Sequence, residues 1–139
     1  MSEWLWPRMG AVFSARNSAT CAVLAERVGI AATRRARAIG LLRHHALRAG
    51  EGLWIVPSRG VHTCGMRFTI DVVALDHRGR IIDLVANMKP WRVRLPRAGC
   101  VGVLELPSGT IAWSGTRLGD AVVFELVRDD TYGTDDRAA

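Results

Sequence analysis

An α+β fold, with a small, mainly antiparallel, barrel-like sheet of five to seven strands and one main helix at about residues 32–46, follows from three features of the sequence. Ala32, Ala36, Ile39, Leu42 and Ala46 recur at three- and four-residue spacing, the period of a helix with one apolar face. After Gly50 the pattern changes to short runs of apolar and β-branched residues closed by glycine, proline and turn residues. IDVVAL and GVLEL are apolar on both faces, as strands are when sandwiched between layers or closed into a small barrel.

Taken in order, Trp4, Leu5 and Trp6 before Pro7 form a short strand or pack on the body. TCAVLAERV (20–28) reads as a strand from its apolar run and the Gly29 break. The helix follows, with Thr33 as N-cap and Gly50 as stop, and with Arg34, Arg35 and Arg43 off its apolar face. GLWIV (52–56) ends at Pro57. RFTIDVVALD (67–76) and IIDLVAN (81–87) make a hairpin across HRGR, where Gly79 supplies the positive φ of a tight turn. VGVLEL (101–106) stops at Pro107, and AVVFELV (121–127) follows the Gly119-Asp120 turn. Residues 1–128 read as a single domain and 129–139 as a frayed acidic tail.

The 139 residues are 49% hydrophobic and 23% charged, which suits one folded domain and excludes global disorder. No apolar stretch approaches the length of a membrane-spanning helix. The net charge of +6 lies wholly in residues 1–60, which hold nine arginines and three glutamates. Arg34, Arg35, Arg37 and Arg43 form a basic patch there, and nucleic acid is the ligand class such a patch admits. Cys21, Cys64 and Cys100 are odd in number and widely spaced, so they read as reduced, mostly buried thiols rather than disulfides or a zinc site. The N-terminus lacks the charged start and unbroken apolar run of a signal peptide, and cytoplasm is the expected compartment.

Chemistry concentrates in VHTCGMRFTID (61–71). Read as one strand, it puts His62, Cys64, Met66, Phe68 and Ile70 on one face, and Thr63, Gly65, Arg67, Thr69 and Asp71 on the other. The His-Cys-Met row offers soft ligands, but its continuation into Phe68 and Ile70 favours a core face, and no metal is assigned. A His62–Cys64 dyad stays open. Asp71 inside an apolar run needs a cation or several donors, with Arg37 or Arg92 the expected cation; a general acid or base is the alternative. Glu105 raises the same question. Trp91, flanked by Lys89, Pro90, Arg92 and Arg94, is a candidate stacking platform. No serine has a nucleophile-elbow setting and no phosphate-binding glycine loop occurs, so no cofactor is expected.

RARAIGLLRHHAL (35–47), GEGLWIVPSRGVHTCGMRFTIDVVALDHRGRII (50–82), KPWR (89–92), LELPSGT (104–110) and GTRLGDAVVF (115–124) together resemble the domain-of-unknown-function family number 192. The resemblance runs over about residues 20–127 and is most specific at VHTxGMRFxIDV. It implies a compact α+β fold with a barrel-like core, and supplies no accepted catalytic set. Residues matching the family pattern are Arg37, Gly40 and Leu41, then His62, Thr63, Gly65, Met66, Arg67 and Asp71, and later Pro90, Glu105, Gly109, Gly119 and Asp120. Cys64 stands where relatives commonly carry an aromatic, which argues against a family-wide role for its thiol.

The leading functional reading is a non-catalytic binding or accessory module for a small-molecule or protein ligand. Its pocket would form where His62, Thr63, Met66 and Arg67 meet Asp71, Trp91, Arg92 and Glu105. The alternative is an enzyme using His62, Asp71 and Glu105 as acid/base groups, which requires those side chains to converge within about 4–6 Å. Nucleic-acid binding through the arginine helix is the third reading.

Overall fold

The computed structural model describes residues 12–31, 47–63, 66–95 and 97–127. The expected 32–46 helix with Arg34, Arg35, Arg37 and Arg43, the Trp4–Trp6 segment and the 129–139 tail lie outside the described residues. Within them the strands are β1 Phe13–Asn17, β2 Val23–Ala31, β3 Glu51–Ile55, β4 Val61–His62, β5 Ile70–Leu75, β6 Ile81–Met88, β7 Val93–Arg94, β8 Gly102–Pro107 and β9 Val122–Leu126. One short helix, α1, spans Thr110–Ser114.

Seven strands form a single sheet in the order β6-β5-β8-β3-β2-β1-β9, and β4 pairs with β7 in a separate two-stranded ribbon. Among the described strands only β2 and β3 pair in parallel. The other pairings in the sheet are antiparallel, as the hairpin pattern predicts. Gly79, at φ 77°, turns the β5–β6 hairpin, and Asp76 Oδ1 accepts the Arg78 and Arg80 amides at 2.8 and 2.9 Å.

The outer strands of this sheet curl until they touch. Arg80 bridges Ala121. The Ile81 amide donates to the Asp120 carbonyl at 2.8 Å, and the Gly119 and Val122 amides donate to Ile81 and Gly79 at 2.9 Å. The sheet is therefore a half-barrel whose edges meet at one end.

Its concave side is filled by Phe13, Leu24, Trp54, Val73, Leu104, Leu106 and Phe124 among others, drawn from every strand of the sheet. A second cluster, with Ile70, Val72, Ala74, Met88 and Val103, covers the opposite face of β5 and β8 beneath Val61, Met66 and Cys100. The doubly apolar β5 and β8 are thus buried on both faces, as their sequences require. Trp54 is fully buried, its ring 5.1 Å from that of Phe124 at 51°. Gly102 admits it, because a β-carbon there would overlap the indole. Asn17, also fully buried, ends β1: its side-chain amide donates to Asp120 and Thr116, and its oxygen accepts the Ala19 and Thr20 amides. The bond from Asn17 is the main reason the Asp120 carboxyl lies below the ordinary range.

Several expectations change. Gly29 does not end a strand, since β2 runs through it from Val23 to Ala31, and β1 is a strand the sequence reading did not contain. Residues 61–71 are not one strand: β4 ends at His62, and the Met66 amide turns back onto the Thr63 carbonyl, so the His-Cys-Met row has no strand face to sit on. Helix α1 is additional, too short to show an apolar period in sequence. Cys100 is a buried thiol as expected, its pKa raised mainly by burial, but Cys21 is exposed.

Candidate functional site

Asp71 is 0% exposed and shares the concave face of β5 with Val73 and Leu75. Two backbone amides hold its carboxylate, Asn87 donating to Oδ1 and Ile111 to Oδ2, each at 2.8 Å. Both donors come from local irregularities. Between Ile70↔Met88 and Val72↔Val85 the β5–β6 register slips, so Ala86 and Asn87 together oppose Asp71. Asn87 adopts φ 54° within this bulge, and its amide meets the carboxylate. Ile111 lies in the first turn of α1, where an amide has no partner within its helix. Backbone donors therefore take the place of the expected cation. Arg92 is exposed and belongs to another cluster, while Arg37 lies outside the described residues.

Glu105 is equally buried, on β8, directly across from Val72 of β5 and Leu53 of β3. It therefore faces the outer cluster, whereas Asp71, paired with Leu106, faces the concave core. A one-residue offset in a strand reverses the face, so register alone separates the two carboxylates across the sheet. His62 lies in β4, paired with Val93 of the ribbon. Asp71 and Glu105, two of the three groups in the expected acid/base set, therefore lie on opposite faces of the sheet.

What the structure does bring together is Thr63 with the KPWR segment. Thr63 is 0% exposed, and its hydroxyl donates to the Lys89 carbonyl at 2.6 Å while accepting the Arg92 amide at 2.8 Å. Its own amide donates to the Arg92 carbonyl at 2.8 Å, and its carbonyl accepts the Trp91 and Met66 amides at 3.0 and 3.1 Å. One buried residue thus clamps both sides of the loop. Trp91 is held at φ 62° with 69% of its surface exposed. Met66 is buried in the outer cluster, and Arg67 and Arg92 are exposed.

The ribbon is tied down by a pair that sequence reading missed. Arg94 donates to both oxygens of Asp83 on β6, Nε at 2.7 Å and a terminal nitrogen at 2.8 Å, and Arg97 lies 3.6 Å from the same carboxylate. The Arg94 bond is the chief reason the Asp83 carboxyl lies below its ordinary range. A signal existed, since Asp83 interrupts an apolar strand as Asp71 does, but nothing in sequence names a partner eleven positions away across a ribbon. With Arg94 turned inward, Val93 and Leu95 point out, 65% and 76% exposed.

Among the described residues, no three His, Cys, Asp or Glu side chains gather into a metal-binding group, and no helix is long and apolar enough to cross a membrane. Residues 15–124 match the DUF192 family, described as Uncharacterized ACR. A UPF0127 protein of Thermococcus sibiricus is 30% identical over 79 residues, 53% of this chain and 51% of that protein. A UPF0127 protein of Pyrococcus horikoshii is 39% identical over 49 residues, 35% of this chain and 42% of that protein. The chain thus spans about half the length of these relatives, or less. Two crystal structures share the fold. A Novosphingobium aromaticivorans protein of unknown function has a TM-score of 0.66 at 23% identity, with 88% of this chain and 92% of that chain covered. A Sinorhizobium meliloti protein described as a "putative transcription regulator" has a TM-score of 0.70 at 16% identity, with 86% and 98% covered. With a match that runs across residues 15–124, this chain belongs to the DUF192 family of uncharacterised proteins.

Proposed function

We propose that this domain is a non-catalytic binding module that docks an acidic polypeptide segment on the ribbon surface of residues 89–95. The observation that carries this reading is the mounting of Trp91. A non-glycine residue at φ 62°, fixed by bonds to a buried threonine and left 69% exposed, stores backbone strain to present an indole to solvent. Val93 and Leu95 on the same segment are exposed apolar side chains, and Lys89 and Arg92, the near neighbours of Trp91 in the chain, are exposed cations. Tryptophan and arginine on such a patch are the usual anchors of protein interfaces, and the cations select acidic partners. The separation of Asp71 from Glu105 supports a non-catalytic role. The free thiols of Cys21 and Cys100 accord with a reducing compartment such as the cytoplasm.

Selection from a displayed random-peptide library tests the proposal. Acidic peptides should be recovered whose binding weakens with added salt and falls roughly tenfold or more in Trp91→Ala. Peptides that bind Trp91→Ala as well as the parent protein would sink it. So would oligothymidylate binding that depends on Trp91, since that outcome would assign the indole to nucleic acid.

A further inference from the structure

A second surface carries chemistry of the opposite sign. A groove of about 480 Å³ lies between the start of β2, the Ala49-Gly50 turn and the approach to α1, a volume within the range of small-ligand sites. Its walls include Val23, Leu24 and Pro107, with Glu26 and Trp113 among the lining side chains. Trp113 is 65% exposed, and Glu26 is exposed with its carboxylate folded beside Gly50. Among the described lining residues Glu26 carries the only charge, a negative one in a chain of net +6.

We infer that this groove binds a small organic cation. The ammonium group would pair with the Glu26 carboxylate and lie against the electron-rich indole of Trp113, while an alkyl portion covers Val23, Leu24 and Pro107. An anion of the same shape meets the Glu26 charge and gains nothing from the ring face. The assignment is independent of the ribbon surface, because none of the described lining residues belongs to 89–95.

Titrating the protein with hexylammonium, followed by the indole N–H resonances in two-dimensional NMR, tests it, with hexanoate as the matched anion. Hexylammonium should shift the Trp113 resonance saturably in the millimolar range, and hexanoate should not. Glu26→Gln should weaken hexylammonium binding roughly fivefold or more, and so should Trp113→Leu, read in that variant from backbone amides lining the groove. Both residues are exposed, and an otherwise unchanged spectrum verifies that each variant folds. Equal shifts with hexanoate would reveal an apolar groove without charge selection and overturn the inference. So would an affinity unchanged in Glu26→Gln, or no response to hexylammonium at all. Trp91→Ala should bind hexylammonium like the parent, which separates failure here from failure of the peptide-docking reading.

Discussion

Ile111 stands forty positions from Asp71, yet its amide lies 2.8 Å from Asp71 Oδ2 and fastens α1 to the mouth of the half-barrel. The Asn87 amide completes the pair of donors from the bulge of β6. A single carboxylate therefore stitches together β5, β6 and α1. Asp71→Asn keeps the size of the side chain but places an amide nitrogen against one of those donors. A loss of about 3 kcal/mol is expected, because hydrogen bonds to a charged acceptor are lost and a buried amide is left without a partner. Urea unfolding measures it, and a midpoint unchanged from the parent would contradict the structural role.

Thr63→Val removes the hydroxyl and strands the Lys89 carbonyl and the Arg92 amide. About 2 kcal/mol of stability should be lost. Exchange of the Arg92 amide should speed up more than that of amides in β8, because the clamp is local to the loop. Thr63→Ser, which keeps the hydroxyl, should recover most of both effects.

The Asp83–Arg94 pair makes stability depend on pH. The folded carboxyl of Asp83 is held below its unfolded value, about 3.9, so its contribution is present above that value and is lost as pH falls through the lower, folded pKa. Arg94 is 40% exposed, and solvent screening limits the pair to about 1 kcal/mol. Arg94→Ala should therefore be destabilised by about that amount at neutral pH, with the gap from the parent closing in strong acid. Thermal unfolding across the acid range checks this; a gap that stays constant with pH would contradict it.

Gly102→Ala puts a methyl group into the Trp54 indole. A cost of about 1–3 kcal/mol is expected from overpacking. Trp54→Phe in the same chain should make that step smaller, since the phenyl ring withdraws from Gly102, and a double-mutant cycle in urea gives the coupling. An additive cycle would show that the strain lies elsewhere.

Much of the sheet was legible because its strands carry their boundaries in the chain. β5 and β6 are apolar runs joined by a glycine turn, β8 ends beside Ser108 and Gly109, and β9 begins after Asp120. The burial of β5 and β8 on both faces was legible for the same reason, since each has too few polar positions for a wet side. The exposure of Trp91 was legible because its neighbours are charged or proline. The break after His62 was not, since the alternation of 61–71 suits a strand as well as it suits a loop packed on a core.

By itself the sequence determined the fold class, the order of the main strands and the demand that Asp71 find partners in the interior. Those follow from local periodicity, turn chemistry and the cost of burying a charge, which neighbouring residues express within a few positions. Only the tertiary structure decided what meets that demand, because the Asn87 and Ile111 amides come from a bulge and a one-turn helix sixteen and forty positions away. Register decided the rest. Asp71 opposite Leu106, and Glu105 opposite Val72, place two carboxylates on opposite sides of one sheet, a difference of one residue in pairing that no pattern within either strand contains.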